Sequence, residues 1–241
     1  MAYIALPKNW KSMSSVVIQK ESIDFLKKLS KNNNREWFNT HKEKYLLARD
    51  NIIGFADALL LEMNKHDKIE TMSGKESLFR IYKDVRFSKE KTPYNTHWSG
   101  AFKRAGKKLR GGYYFKFKPG ESILVGGFWG PEPPDLKRIR QDIDFNYKSW
   151  RKLLAEKTLV KTFEKMTGEK ISSAPRGYAK DHPAIGLLRY KQFLLQHAFT
   201  DEELYSPGFL NKANGVFKKM RPFFNYMSEV LTTDANGEDV T

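Results

Sequence analysis

A short segment in the middle of the chain concentrates residues that can bind anions. Arg80, Asp84 and Arg86 recur at even spacings within a run of apolar and basic residues. Side chains of a β-strand alternate between its two faces, so this spacing would display both guanidinium groups and the carboxylate together. Arginine grips a carboxylate or phosphate through two parallel hydrogen bonds, and an aspartate between two arginines stays ionised. The segment therefore predicts an anion-binding row.

The same alternation predicts which side chains of the segment face the core. The outward row is Arg80, Tyr82, Asp84 and Arg86. The inward row is Phe79, Ile81, Val85 and Phe87. Lys83 falls on the apolar face, so we expect either a bend in the strand or a lysine whose stem is buried below a solvated ammonium group. A loop that begins at Ser88 extends the polar set with Lys91, Tyr94 and His97.

Two interpretations of this polar row compete. In the structural one, Asp84 only neutralises two arginines. In the functional one, Asp84 orients the arginines, whose remaining donors bind an anion. The binding candidates of the segment are then Arg80, Lys83, Arg86 and Lys91. The catalytic candidates are Asp84, Tyr94 as a donor to a developing oxyanion, and His97 or His182 as acid or base.

A second polar cluster lies in residues 175–183, which one glycine and two prolines mark as a loop. It adds His182 and the binding candidates Arg176, Tyr178, Lys180 and Asp181. Loops held on a scaffold often carry function, although a solvated connector is the competing interpretation. A shared site requires this loop to meet residues 80–94, and we expect that it does.

The charge balance favours anionic partners. The formal net charge is +15, and residues 75–118 hold thirteen lysines and arginines against three acids. An anionic small molecule, phosphorylated or carboxylated, is the first partner that we expect. Nucleic acid is the alternative, because residues 103–118 interleave bases with tyrosine and phenylalanine, but no known nucleic-acid-binding signature accompanies them. A third interpretation is a structural interaction protein without catalysis.

Apolar spacing predicts helices on both sides of a central group of strands. We expect helices over 22–29 and 37–63, separated by asparagines at 32–34. The predicted strands are 78–87, 113–118, 122–129 and 190–197, and a Pro–Gly turn joins the second to the third. Further helices follow the prolines at 131–134. This order predicts an α+β fold, with an antiparallel sheet from the middle of the chain packed against N- and C-terminal helices.

Three local signals refine this prediction. Gly126 and Gly127 lie inside a predicted strand and indicate a bulge or a close backbone approach. Thr200 and Glu203 have the spacing of a capping box at a helix start. A final helix should begin at Ser206, and Pro222 should kink it.

The length and composition of the chain restrict the class of protein. Within 241 residues we expect an N-terminal extension over 1–20, a single α+β domain over 21–231 and an acidic, flexible tail over 232–241. The absence of cysteine excludes disulfides and thiolate nucleophiles. No apolar run has the length of a signal peptide or membrane span, so we expect a cytoplasmic protein without a membrane partner. The five histidines lack ligand spacing and predict no metal site, no particular cofactor is implied, and the oligomeric state stays open.

The chain resembles the bacterial family called domain of unknown function 2461, which has fungal relatives. The family motif is similar to Arg-x-x-Arg-Asp-x-Arg-Phe, then Asp or Asn-Lys-x-x-Tyr. Its positions match Arg80, Asp84, Arg86, Phe87, Lys91 and Tyr94. Lys83 replaces a family arginine, and its ammonium group cannot donate the two parallel hydrogen bonds of a guanidinium group. Glu90 replaces the Asp or Asn of the family. The resemblance spans roughly 21–230, including residues 33–38, 112–114 and 175–183 and also Arg140. It implies no activity, but a shared motif favours the functional interpretation of both polar segments.

Overall fold

The computed structural model of the protein describes residues 16–84, 86, 91–233 and 238–239. Val85 and Phe87 of the predicted inward row lie outside the described residues, as do Ser88 and most of the predicted extension and tail. Among the described helices, none combines the length and hydropathy that a membrane crossing needs.

The N-terminal helices are α1 (Lys20–Lys31), α2 (Arg35–Thr40), α3 (Lys42–Met63) and the single turn α4 (Gly74–Ser77). Asn34 caps α2 by accepting a hydrogen bond from the backbone N–H of Trp37, which confirms the predicted break. The predicted helix over 37–63 is divided at His41, whose φ of −107° lies outside the helical range. Apolar spacing continues across this corner, which is why the sequence pattern does not reveal it.

Four strands form one antiparallel sheet in the order β1-β2-β3-β4. They are β1 (Trp98–Lys103), β2 (Gly112–Phe117), β3 (Ser122–Phe128) and β4 (Phe193–Phe199). The predicted β2–β3 hairpin is confirmed, with Gly120 at φ +70° in its turn. The strand predicted over 190–197 is β4, shifted by a few residues, whereas β1 was not predicted.

The C-terminal half is mainly helical. Its helices are α5 (Pro133–Phe145), α6 (Tyr147–Leu154), α7 (Lys157–Phe163), α8 (Ile185–Leu188), α9 (Asp201–Tyr205), α10 (Phe209–Lys219) and α11 (Arg221–Thr232). The capping box of Thr200 and Glu203 is present at the start of α9. The predicted kink at Pro222 is instead a boundary between two helices, because proline fits the first turn of α11 without losing a hydrogen bond.

The helices cover one face of the sheet. Phe117 of β2 packs against Phe55 of α3 and Phe209 of α10, and Tyr113 packs against Phe224 of α11. Because side chains alternate, Tyr114 and Lys116 of the same strand point to the opposite face and stay partly exposed. The core therefore lies between the sheet and these helices, as the α+β prediction required.

Candidate functional site

Residues 78–84 run beside β1 as an irregular edge and not as the predicted strand. Isolated bridges join Leu78 to Gly100 and Tyr82 to Tyr94. Ile81 is buried, and Arg80, Tyr82 and Asp84 are exposed, so the predicted alternation holds in this stretch. The prediction is wrong for Phe79, whose side chain is 52% exposed.

The polar row holds one internal ion pair. Arg86 donates from Nε to Asp84 Oδ1 at 3.0 Å and from Nη2 to Asp84 Oδ2 at 2.6 Å. These hydrogen bonds from Arg86 lower the pKa of Asp84. Both side chains are exposed, so solvent screens the attraction between them. Among the described residues, Asp84 bonds Arg86 but not Arg80. The carboxylate therefore orients one arginine and not the two that the sequence predicted.

Tyr94 is a core residue, whereas Lys91 is exposed. The ring of Tyr94 stacks on Phe38 with centroids 4.0 Å apart and an angle of 13°. Asn33 bonds both backbone groups of Tyr94, donating to its carbonyl and accepting from its N–H. Burial raises the pKa of the Tyr94 hydroxyl. This tyrosine therefore joins residues 91–95 to the N-terminal helices, and its role as an oxyanion donor stays a prediction.

His97 lies in a cluster of lysines, here called the lysine cluster: Lys83, Lys116, Lys118 and His97. Because Trp98 pairs with Phe117, the register puts His97 beside Lys118 at the end of β2. Burial lowers the pKa of His97, and the three lysine charges lower it further, while Glu121 opposes them. Glu121 pairs with Lys118 at 2.6 Å and more loosely with Lys116 at 3.9 Å. Lys116 and Lys118 thus share one carboxylate.

A groove of about 710 Å³, here called the sheet groove, opens on the sheet face opposite the helices. Three aromatic rings cross it in a row, with centroid distances of 6.2 Å from Phe79 to Tyr114 and 5.9 Å from Tyr114 to Trp129. The side chain of Trp129 is 57% exposed. Val125 and Leu194 lie buried at its floor. None of these five residues was a sequence-predicted site residue.

The charges at the far end of the groove are balanced. Lys103 pairs with Glu70 at 3.2 Å, and Arg110 bonds Asp135, the third residue of α5, which directly follows its two prolines. Among the described residues, Lys103 and Arg110 therefore each have a carboxylate of their own, whereas Lys116 and Lys118 of the lysine cluster share Glu121.

The loop over 175–183 packs against α5. The backbone N–H of Ala184 donates to Nδ1 of His182 at 3.0 Å, so Nε2 carries the proton and donates to Asp144 at 2.9 Å. Both ring nitrogens of His182 are therefore engaged, which argues against a role as acid or base. Tyr178 is half-buried near Arg140 and Asp144, and burial raises its pKa. Arg176, Lys180 and Asp181 are exposed.

The two predicted polar segments lie at different edges of the sheet. Residues 78–84 adjoin β1, whereas the chain on either side of the 175–183 loop bridges Thr167 to Leu194 and Lys170 to Tyr190, beside β4. Since β1 and β4 are the outer strands, three strand spacings of about 4.8 Å separate them. The prediction that the two segments meet in one site is wrong.

Sequence reasoning also missed a buried ionic network. Arg104, counted in the basic stretch, donates from Nε to Asp67 at 2.7 Å, and both side chains are fully buried. Arg221 lies 3.1 Å from the same carboxylate, and the hydroxyl of Tyr113 donates to it at 2.6 Å. Ser228 accepts from Arg104. Arg104 is therefore part of the core, and no sequence signal links partners so far apart.

No metal centre stands out among the residues that the structure describes. Within that part of the chain, no three histidine, aspartate or glutamate side chains converge. The sheet groove, the lysine cluster and the loop on α5 are features of the described residues that could form a site.

These features define an α+β protein with a helix-backed antiparallel sheet whose other face is open and lined by aromatic and basic side chains. The chain belongs to the family described as conserved hypothetical protein (DUF2461), whose model matches residues 21–226. This match confirms the resemblance drawn from the motifs. No curated protein and no solved structure matches the chain significantly.

Proposed function

We propose that this protein binds a small molecule that carries a flat ring and a phosphate or carboxylate group, on the open face of its sheet. The observation that carries the proposal is the row of three aromatic rings, Phe79, Tyr114 and Trp129, next to the lysine cluster. The ring would lie in the sheet groove, and the anionic group would reach the lysines.

The groove suits the ring of such a ligand. Its volume of about 710 Å³ falls in the range of about 300–1,000 Å³ that is usual for small-molecule sites. Phe79 and Trp129 each expose more than half of their side chain, although burial of an aromatic ring is favourable. A flat ligand that stacks on these rings removes the exposed apolar surface from water.

The lysine cluster suits the anionic group. Lys116 lies two residues from Tyr114 on the same face of β2, so about 6.5–7 Å separates them along the strand. A ring over Tyr114 therefore brings its substituent within reach of the Lys116 ammonium group. His97 is the group of this cluster that could exchange a proton with a bound ligand near neutral pH.

Single substitutions test the two halves of the site. Trp129→Ala and Lys116→Gln should each weaken binding of adenosine monophosphate or phenyl phosphate roughly tenfold in isothermal titration calorimetry. The matched controls are Phe145→Ala, whose ring is 83% exposed on α5, and Lys148→Gln on α6. Equal affinity in all four variants, or no binding of any ring-bearing anion, would contradict the proposal.

The sequence-predicted anion row is tested in the same experiment. Arg80 and Arg86 are exposed, so Arg80→Gln and Arg86→Gln should fold normally. If they weaken binding and Lys116→Gln does not, the anion is held by the binding candidates that the sequence predicted, Arg80, Lys83, Arg86 and Lys91. If they lower the melting temperature without changing affinity, the row is structural.

Single-stranded nucleic acid is a second candidate for the same face. Rows of exposed aromatic rings beside cations are the usual platform for stacked bases. Affinity would then rise from a mononucleotide to an oligonucleotide of about eight residues and fall steeply with salt, in proportion to the phosphates contacted. Affinity that does not depend on oligonucleotide length would favour the small molecule.

A further inference from the structure

A second concavity, here called the α6–α8 pocket, lies away from the sheet groove and shares no residue with it. It has a volume of about 460 Å³ and lies between α6, α8 and the bridged residues Lys170 and Tyr190. Its charged and aromatic lining consists of Arg151, Lys170, Tyr147 and Tyr190, and its apolar lining includes Leu154 and Leu187.

The two cations of this pocket face rings and not carboxylates. The Lys170 ammonium group lies 4.0 Å from the centroid of the Tyr190 ring, and the Arg151 guanidinium carbon lies 5.8 Å from that of Tyr147. No aspartate or glutamate lines the pocket. Within the described part of the chain, neither cation has an ion-pair partner. The neighbouring Lys191, by contrast, pairs with Glu169 at 2.7 Å.

An anion would complete this arrangement. Two positive charges that line one concavity repel each other, and an oxyanion between them would attract both. The planar guanidinium group can donate two parallel hydrogen bonds to one carboxylate or phosphate, and the ammonium group can add a third. Leu154 and Leu187 supply an apolar wall, which favours an organic anion over a free inorganic ion.

We infer that the α6–α8 pocket binds a small organic oxyanion, a carboxylate or a phosphate monoester with an apolar body of a few carbons. Arg151 and Lys170 hold the oxyanion, and the leucines contact the apolar body. Tyr190 positions Lys170, because its hydroxyl is already bonded to the carbonyl of Met166 and its ring face is turned to the ammonium group.

Site-resolved titration of the whole chain tests this inference. Amide shifts of the ¹⁵N-labelled protein would be followed with phenyl phosphate, benzoate and inorganic phosphate at constant ionic strength. Shifts of Ala184 and Gly186 report on the α6–α8 pocket, whereas shifts of Gly127 and the Trp129 indole report on the sheet groove. Absence of binding at the α6–α8 pocket is therefore distinguishable from absence of binding at the sheet groove.

The expected result is saturable shifts at the pocket signals. Arg151→Gln and Lys170→Gln should each weaken this binding roughly tenfold, and Lys191→Gln should leave it unchanged. Arg151 and Lys170 are exposed, so both variants should keep the fold, which circular dichroism checks. Shifts scattered over surface lysines, or equal weakening in Lys191→Gln, would overturn the inference. Equal affinity for inorganic phosphate and phenyl phosphate would contradict the inference that the ligand carries an apolar body.

Discussion

Individual ionisable residues divide sharply between core and surface in this protein. Asp67 and Arg104 are fully buried and bonded to each other, whereas Asp84 and Arg86 form a pair of similar geometry in solvent. A buried charge that loses its partner is costly, while an exposed pair contributes little. The two aspartates should therefore respond very differently to the same substitution.

Asp67→Asn should destabilise the protein by about 3–5 kcal/mol, because Arg104 and Arg221 lose their counter-charge in the core. Urea denaturation followed by circular dichroism measures the change. Asp84→Asn is the control, and its unfolding midpoint should match that of the parent chain. A small effect of Asp67→Asn would mean that water or a rearranged side chain compensates for the lost carboxylate.

His97 should make stability depend on pH. Burial and the charges of Lys116, Lys118 and Lys83 lower its pKa below the usual value of about 6.5. The unfolded chain then binds more protons than the folded one below about pH 6.5. The stabilising contribution is present above that pH and is lost as the pH falls towards the folded-state pKa.

The free energy of unfolding should therefore fall between pH 7 and pH 5, and His97→Gln should reduce that slope. Lys116→Gln removes one of the charges that lower the pKa, so its slope should lie between the other two. Denaturant melts at both pH values measure all three slopes. If His97→Gln keeps the full slope, another group is responsible.

At the scale of elements, the central strands depend on a close backbone approach. Gly127 of β3 has a φ of +145°, and a Cβ atom there would lie 2.1 Å from the carbonyl oxygen of Phe193 in β4. This explains why a glycine pair occurs inside a strand that is otherwise apolar. The sequence signal for a close approach at Gly126 and Gly127 is thus confirmed at the second glycine.

Gly127→Ala should cost about 1–3 kcal/mol, since alanine meets both an unfavourable φ and the β4 backbone. Gly186→Ala is the matched control, because a Cβ atom at this position of α8 meets nothing within 4 Å. Thermal melts of both variants provide the comparison. Equal melting temperatures would show that β4 can move away at little cost.

At the scale of the whole molecule, the sheet has two unequal faces. The helices bury one face with phenylalanines, and the other face combines a groove, three rings and a group of lysines. Both proposed ligand sites lie outside the helix–sheet core. Substitutions in them should therefore change binding more than folding.

The N-terminal boundary of the domain is also a property of the whole molecule. The family match and the predicted domain both begin at residue 21, yet Ile18 is only 1% exposed. Asn51 of α3 bonds the carbonyl of Val17 and the N–H of Gln19. The segment before α1 therefore packs on α3.

A chain that begins at Glu21 should be about 2–5 kcal/mol less stable than one that begins at Val16, because it lacks the buried Ile18 side chain. Denaturant unfolding of the two truncated chains measures this difference. Ile18→Ala in the full chain should reproduce most of it. Equal stability of the two truncated chains would place the boundary at residue 21, as the sequence predicts.

Local patterns were enough for much of the fold. The helical spacing of Ile23, Leu26 and Leu29 predicted α1, and the alternation around Tyr113 predicted β2 and its hairpin partner. The capping box at Thr200 was equally readable. Each of these features depends on residues within a few positions of one another, where backbone geometry and side-chain period act directly.

How those helices and strands pack against one another was decided only by the tertiary structure. Alternation shows that Tyr114 and Phe115 point to opposite faces, but packing determines which face the helices cover and which stays open as a groove. Packing also brings Asp67, Arg104 and Arg221 together and separates residues 78–84 from the 175–183 loop. Contacts between residues so distant in the chain are selected by burial of the whole core, which no short pattern encodes.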